Sequence, residues 1–219
     1  MEEQAPVLDS AAPRSFPRDT AEFDRTLNFV DAIFGFAITL LVTNLQVPAA
    51  DEWRSVSALL SGPVGDQLTG FGISFVVIAG FWRLNHRVIA GFRGLDAVTM
   101  QVAILIAGFV IFIPFTTQGL TIHTGGLPLP TAVYALNLAV VELATVLLVW
   151  LGRRRGLAVV TGSFLQATAS ELSVAAVFLL SIVIAYQVGP GAAMLSWLSL
   201  IVIPRLVDWL AKTRSTSER

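Results

Sequence analysis

The sequence predicts an all-α integral membrane protein with six transmembrane helices and both termini in the cytoplasm. Three observations support this fold class: 55% of the residues are hydrophobic and only 13% are charged, six apolar runs are long enough to span a bilayer, and the basic residues segregate by loop. An average soluble domain carries about 25% charged residues, so a soluble fold would lack polar surface. The mean hydropathy of +0.75 also excludes a disordered chain, a nucleic-acid-binding protein and a typical cytosolic enzyme.

The apolar runs are predicted to be helices because they are continuous and do not alternate in polarity as the strands of a membrane barrel would. A helix needs about 20 apolar residues to cross the bilayer. The gap Gly189-Pro190-Gly191 is so short that helices five and six are expected to form a tight antiparallel hairpin. The six predicted spans are 28–47, 68–86, 97–120, 130–151, 167–188 and 191–210.

The distribution of basic residues predicts the topology. With six spans, the N-terminal arm, the loops after helices two and four, and the C-terminal segment lie on one side of the membrane. That side holds thirteen basic residues, and the other side holds only Arg54. Because loops rich in arginine and lysine remain in the cytoplasm, both termini are expected there.

Three segments follow from this topology. Residues 1–24 contain six acidic residues and two arginines, and we expect them to form a disordered cytoplasmic arm. Residues 25–211 form the six-helix transmembrane domain. Residues 212–219 are expected to be a solvated cytoplasmic tail.

Residues suited to catalysis or metal binding are scarce. The chain has no cysteine, which excludes disulfides, thiolate metal sites and cysteine catalysis. His86 and His123 fall on opposite predicted sides of the membrane and cannot share a metal ion. No P-loop, HExxH or GxSxG motif is present. We therefore expect a protein that is not an enzyme and that has no cofactor and no resident metal.

Asp31 is the most informative polar residue of the first span. A charged aspartate at the bilayer centre costs roughly 2.5–3.5 kcal/mol, so its side chain should face protein or water. Arg25 precedes it by six residues, about 240° around the helix, and cannot be a same-face partner. We expect the partner of Asp31 on another helix, with His86 and Arg83 as the candidates.

A second feature of the first span is an apolar stripe at intervals of four and three residues, which places its members on one helix face. Spacing alone favours ordinary packing for such a stripe. Its members are Phe29, Ile33, Phe36, Leu40, Thr43 and Val47.

The first span also carries a sequence motif. The pattern Arg25-x-x-x-Phe29-Val30-Asp31 resembles the R-x-x-x-F-S-D signature of the transmembrane protein 175 family, although Val30 stands where the signature has serine. The resemblance continues at Trp82 and His86 in helix two and at residues 113–117, Ile-Pro-Phe-Thr-Thr, in helix three. Members of this family are potassium channels of endosomes and lysosomes, with bacterial relatives.

The resemblance implies a bacterial subunit with one six-helix repeat that assembles as a homotetramer, with the first helices lining the pore. Selectivity in the family arises at apolar constrictions and not at a carbonyl filter. By position after the aspartate, the constriction sites match Phe36, Leu40 and Thr43, with Ile33 and Thr39 as further pore-lining residues. An aliphatic residue is usual at the position of Phe36. Four phenylalanine rings that converge on one axis leave little room for a hydrated ion, so they are expected to form the narrowest point of the pathway. The alternative is that Phe36 packs within its own subunit.

The resemblance also implies a structural polar network, formed here by Arg25, Asp31, Trp82, Arg83 and His86. The leading hypothesis is a passive, potassium-selective channel of the bacterial plasma membrane, whose partners are its own copies and the lipid bilayer. The alternative is a proton- or ion-coupled secondary transporter that uses Glu142 and Asp31 as coupling carboxylates. Transporters usually show internal repeats and broken helices, and neither is visible in the sequence.

Overall fold

The computed structural model describes residues 15–121, 126–159, 163–207 and 209–210. Six helical segments in this part of the chain are long and apolar enough to cross a membrane, and the sixth, Pro190–Val207, is not one continuous α-helix. The predicted span number and the helical fold class are therefore confirmed. In chain order the elements are β1 (Ser15–Pro17), α1 (Ala21–Thr43), α2 (Val56–Ser61), α3 (Pro63–Ala90), β2 (Gly94–Asp96), α4 (Ala97–Thr121), α5 (Leu129–Arg154), α6 (Phe164–Gln187) and α7 (Pro190–Ser196), with 3₁₀ turns at Glu52–Arg54 and Trp197–Ile201.

The N-terminal arm departs from the prediction of disorder over residues 1–24. Residues 15–17 form β1, which pairs antiparallel with β2, and α1 begins at Ala21. The Thr20 side chain caps α1 by accepting from the Phe23 amide, and Glu22 and Asp24 lie in the first turn, where carboxylates are favourable beside the helix dipole. Residues 1–14 and the predicted tail 212–219 lie outside the described residues.

Helix α1 also ends earlier than its apolar run. The predicted span continued to Val47, but the helix stops at Thr43 with Asn44 as its cap. Pro48 disfavours helical backbone at the preceding residue, and Val47 is accordingly in the loop and 88% exposed. Both ends of the second span move outward: α3 begins at Pro63 and ends at Ala90, because polar residues extend that helix beyond its most apolar part.

The sixth span is interrupted, contrary to the continuous helix predicted over 191–210. Helix α7 ends at Ser196 and is followed by the 3₁₀ turn Trp197–Ile201. Pro204 has no amide hydrogen to donate to the Leu200 carbonyl, so regular α-helix is not maintained up to it. The preceding hairpin is confirmed: Gly189 has φ of 130°, a conformation that glycine adopts readily, and it reverses the chain between α6 and α7.

The buried core is centred on α5, which packs against α4 and α6. Ser74 of α3, Thr117 of α4 and Tyr134 of α5 form a buried hydrogen-bonded group at its centre. The Ser74 hydroxyl lies 2.7 Å from the Thr117 hydroxyl and 3.0 Å from the Tyr134 hydroxyl. Because unpaired polar groups are costly in an apolar interior, this group fixes the register of three helices.

The end of the bundle where α3 and α5 finish and α4 begins is also tightly connected; we call it the arginine-rich end. The Arg18 guanidinium donates to the Ala90 and Phe92 carbonyls, and Arg155 forms a salt bridge with Asp96. Burial opposes ionisation of Asp96, but hydrogen bonds from Thr99 and the adjacent Arg155 charge outweigh it and hold the pKa of the Asp96 carboxyl below its usual value.

Candidate ion pathway on the first helix

Helix α1 has one face packed into the subunit and one face left uncovered. The packed face contacts α4 and α3. Its buried members are Phe23, Thr26, Val30, Phe34, Ala37 and Leu41. Val30, which replaces the serine of the family signature, is therefore a core residue that is 2% exposed.

The predicted apolar stripe lies on the uncovered face. Phe29 is 53% exposed and Phe36 is 55% exposed, while Ile33 and Leu40 are half-buried and Thr39 and Thr43 are exposed. The alternative in which Phe36 packs inside its own subunit is therefore not found. In a membrane protein, a row of uncovered apolar side chains faces either lipid or another copy of the chain.

The two threonines of this face use their hydroxyl hydrogens within the helix. The Thr39 hydroxyl donates to the Phe36 carbonyl at 2.7 Å, and the Thr43 hydroxyl donates to the Leu40 carbonyl at 2.8 Å. Each hydroxyl oxygen keeps lone pairs that point away from that bond. The uncovered face thus combines apolar side chains with two hydroxyl oxygen atoms that can coordinate a cation.

Asp31 is held by another helix, as expected, but by a different residue. The Trp82 indole nitrogen donates to an Asp31 carboxylate oxygen at 3.1 Å. This corrects the expectation that His86 or Arg83 would be the partner. The His86 ring stacks on Trp82 with 6.0 Å between ring centroids.

The structure thus divides the predicted polar network. It brings Asp31, Trp82 and His86 together, whereas Arg25 is exposed on the same face of α1 as Phe29 and Phe36. Arg83 follows Trp82 by one residue, about 100° around α3, and lines a different groove between α3 and the C-terminal part of the bundle.

The far end of α1 is attached to α4 at the segment that contains Pro114. Pro114 lies inside α4 and has no amide hydrogen to donate to the Val110 carbonyl. The Asn44 side-chain amide donates to the Pro114 carbonyl at 2.9 Å, and the Thr117 hydroxyl donates to the Ile113 carbonyl at 2.8 Å. Sequence analysis did not identify Asn44, because its partner is 70 residues away.

Glu142 lies away from this face, in the core. It is 4% exposed and lines a cavity of about 230 Å³ with Arg87, Ser170 and Glu171. One of its carboxylate oxygens has no hydrogen-bond partner in the part of the chain that the structure describes. Asp31 does not line this cavity, so the two carboxylates named for the transporter alternative are not in one site.

Comparison with known proteins gives consistent matches. The model of the family described as "Endosomal/lysosomal potassium channel TMEM175" matches residues 25–114, the segment from the first turns of α1 to Pro114 of α4. A protein of Streptomyces collinus named as a potassium channel is 28% identical over 142 residues, which cover 62% of this chain and 66% of that relative. The chain thus spans just under two thirds of the length of that relative.

Two solved structures share the fold. The first is the lysosomal potassium-selective channel TMEM175 homolog from Chamaesiphon minutus, with a TM-score of 0.67 and 23% identity over 88% of this chain and 99% of that one. The second is a threonine-to-alanine variant of the potassium channel MtTMEM175 in complex with a nanobody–MBP fusion, with a TM-score of 0.61 and 18% identity over 95% and 99% of the two chains.

Proposed function

We propose that this chain is a member of the transmembrane protein 175 family and a subunit of a potassium-selective channel that conducts passively along the uncovered face of α1. The observation that carries the proposal is this face, where Phe29 and Phe36 are each more than half exposed, on a helix whose other face packs against α3 and α4. The matched relatives that are named as potassium channels support the same permeant ion.

We further propose that four copies surround the pathway, in a bacterial plasma membrane with both termini in the cytoplasm. Most homo-oligomers have closed symmetry, and a ring of subunits would cover the stripe of every α1 at once. The arginine-rich end, which carries Arg18, Arg93 and Arg155, would then be cytoplasmic by the positive-inside rule.

In this arrangement the permeating ion loses water at successive rings of side chains. Four copies of Phe36 would form the narrowest ring, closed at rest because an apolar constriction excludes water. Leu40 and Thr43 would form rings further along the axis, with Ile33 on the other side of Phe36. The Thr39 and Thr43 oxygens would replace part of the ion's hydration shell, so conduction needs no cofactor.

The proposal is tested by reconstituting the full chain in liposomes with a potassium gradient. A channel predicts a flux that follows the potassium diffusion potential, falls when potassium is replaced by sodium, and is unaffected by an imposed proton gradient. Protein-free liposomes and liposomes with the heat-denatured protein are the controls. Flux that saturates and is driven by the proton gradient would contradict passive conduction.

One pair of observations favours the transporter as a second candidate. Glu142 is a buried carboxylate beside a cavity, and the sixth span is interrupted at the 3₁₀ turn Trp197–Ile201, a type of interruption that transporters place at their binding sites. A coupled transporter would need the Glu142 carboxylate to exchange a proton. Glu142→Gln, which keeps the hydrogen-bonding shape and removes the charge, would then abolish flux, whereas the channel would retain it.

A further inference from the structure

An apolar groove separates α3 from the C-terminal part of the bundle. Its volume is about 850 Å³, within the range of sites that take a ligand of several hundred daltons. The floor is formed by side chains of α5, α6 and the 3₁₀ turn: Tyr134, Leu138, Phe178 and Trp197. Nothing in the proposed ion pathway uses this groove, because no residue of α1 lines it.

The rims of the groove are apolar and open to the surroundings of the subunit. Val76 of α3 is 69% exposed, and Leu198 and Ile201 on the opposite rim are 61% and 60% exposed. In a membrane the surroundings at this level are lipid acyl chains. The 3₁₀ turn Trp197–Ile201, at which the sixth span is interrupted, supplies part of the groove lining.

One end of the groove is basic. Arg83 and Arg87 come from the last two turns of α3, and Arg205 follows the 3₁₀ turn on the other side. Arg83 forms no salt bridge with any carboxylate that the structure describes. Three guanidinium groups at one end of an apolar groove are complementary to an amphiphile with a negative head and a long chain, and basic pockets between membrane helices are a common type of anionic-lipid site.

We propose that this groove binds one anionic phospholipid of the bilayer, with its phosphate held by Arg83, Arg87 and Arg205 and one acyl chain lying along Val76, Leu198 and Ile201. The three positive charges favour an anionic lipid over a zwitterionic one. Each arginine attracts the phosphate, and in a zwitterionic lipid the positive choline group of the same headgroup offsets that attraction. The lipid would bridge α3 to the interrupted sixth span, which packs mainly against α6.

The test uses the full chain purified in detergent, with phosphatidylglycerol and phosphatidylcholine of identical acyl chains as probes. Bound lipid is counted by native mass spectrometry, and the shift in thermal midpoint is measured for each lipid. The double variant Arg83→Gln/Arg205→Gln is expected to weaken phosphatidylglycerol binding roughly ten- to thirty-fold, from about 1 kcal/mol per arginine, with little change for phosphatidylcholine. Arg93→Gln is the matched control, since Arg93 is exposed at the same end and does not line the groove.

A second variant fills the groove without changing its charge. A Cβ at Gly80 would meet no atom within 4 Å, so Gly80→Leu places its side chain in the groove that Gly80 lines and is expected to lower the binding of both lipids. Gly108→Leu, at an equally open glycine on α4, is the control.

Unchanged lipid binding in Gly80→Leu would overturn the proposal, as would a loss of phosphatidylglycerol binding in Arg93→Gln equal to that in the double arginine variant. A changed number of subunits with unchanged lipid binding would assign the groove to a second copy of the chain.

Discussion

Replacing Phe36 by alanine tests the proposed constriction most directly. Phe36 is 55% exposed in its own subunit. The buried surface lost on its truncation to alanine is therefore less than half of that lost at a core phenylalanine. Core Phe→Ala changes cost about 3–5 kcal/mol, and we expect Phe36→Ala to lower the free energy of unfolding of a subunit by no more than about 2 kcal/mol. The ring of four phenylalanines would become a wide opening, so potassium conductance should rise and discrimination against sodium should weaken.

The assay is single-channel recording in planar bilayers with potassium on one side and sodium on the other, which gives conductance and the reversal potential together. Phe34→Ala is the matched control, because Phe34 lies on the same helix but is 1% exposed; it should destabilise the protein by the full core cost and leave the reversal potential unchanged. If Phe36→Ala shifts only the thermal midpoint and leaves conductance and selectivity at wild-type values, the pore assignment of this face is refuted.

Three further predictions concern polar groups. Trp82→Phe keeps the ring and removes the donor to Asp31, so the yield of assembled protein in size-exclusion chromatography should fall to the level of Asp31→Asn; normal assembly with altered selectivity would instead assign Asp31 to permeation. Glu142→Gln should leave potassium flux within a few-fold of wild type in the liposome assay, and a loss of flux would favour the coupled transporter. The pKa of Asp96 is lower in the folded protein than in the unfolded chain, so its stabilising contribution is present above about pH 4 and is lost as the pH falls through the folded value. The difference in thermal midpoint between wild type and Asp96→Asn should therefore be largest near pH 7 and shrink below pH 4; a difference that grows with acidity would contradict the Arg155 salt bridge.

The number and type of spans could be predicted from the sequence because hydropathy alone decides them. Helix ends could not be predicted so well, since Glu22 and Asp24 belong to the first turn of α1 but contribute no apolar signal. The capping pattern that begins at Thr20 and the prolines at 48 and 204 were readable signals for three of these ends.

The candidate site was only partly accessible to sequence reasoning. The periodicity of the stripe from Phe29 to Thr43 identified one face of α1, but periodicity does not tell a packed face from an uncovered one. The neighbouring face, with Phe23, Phe34 and Leu41, is the packed one. The bonds of Asp31 to Trp82 and of Asn44 to Pro114 join residues 51 and 70 positions apart, and such pairings follow from the three-dimensional arrangement of helices.

Those two bonds restrict how α1 can move. Asp31 is tied to α3 and Asn44 to α4, at points thirteen residues apart and therefore about 20 Å apart along the axis. A helix that is hydrogen-bonded at two points to two different helices can bend between those points, but it cannot rotate about its own axis without breaking one of the two bonds. Gly35 and Phe36 lie between the two points, and Gly35 has no neighbour within 4 Å of a Cβ position. If the proposed pore widens because α1 bends outward at this level, both hydrogen bonds are kept. If it widens because α1 rotates, at least one of the two hydrogen bonds breaks.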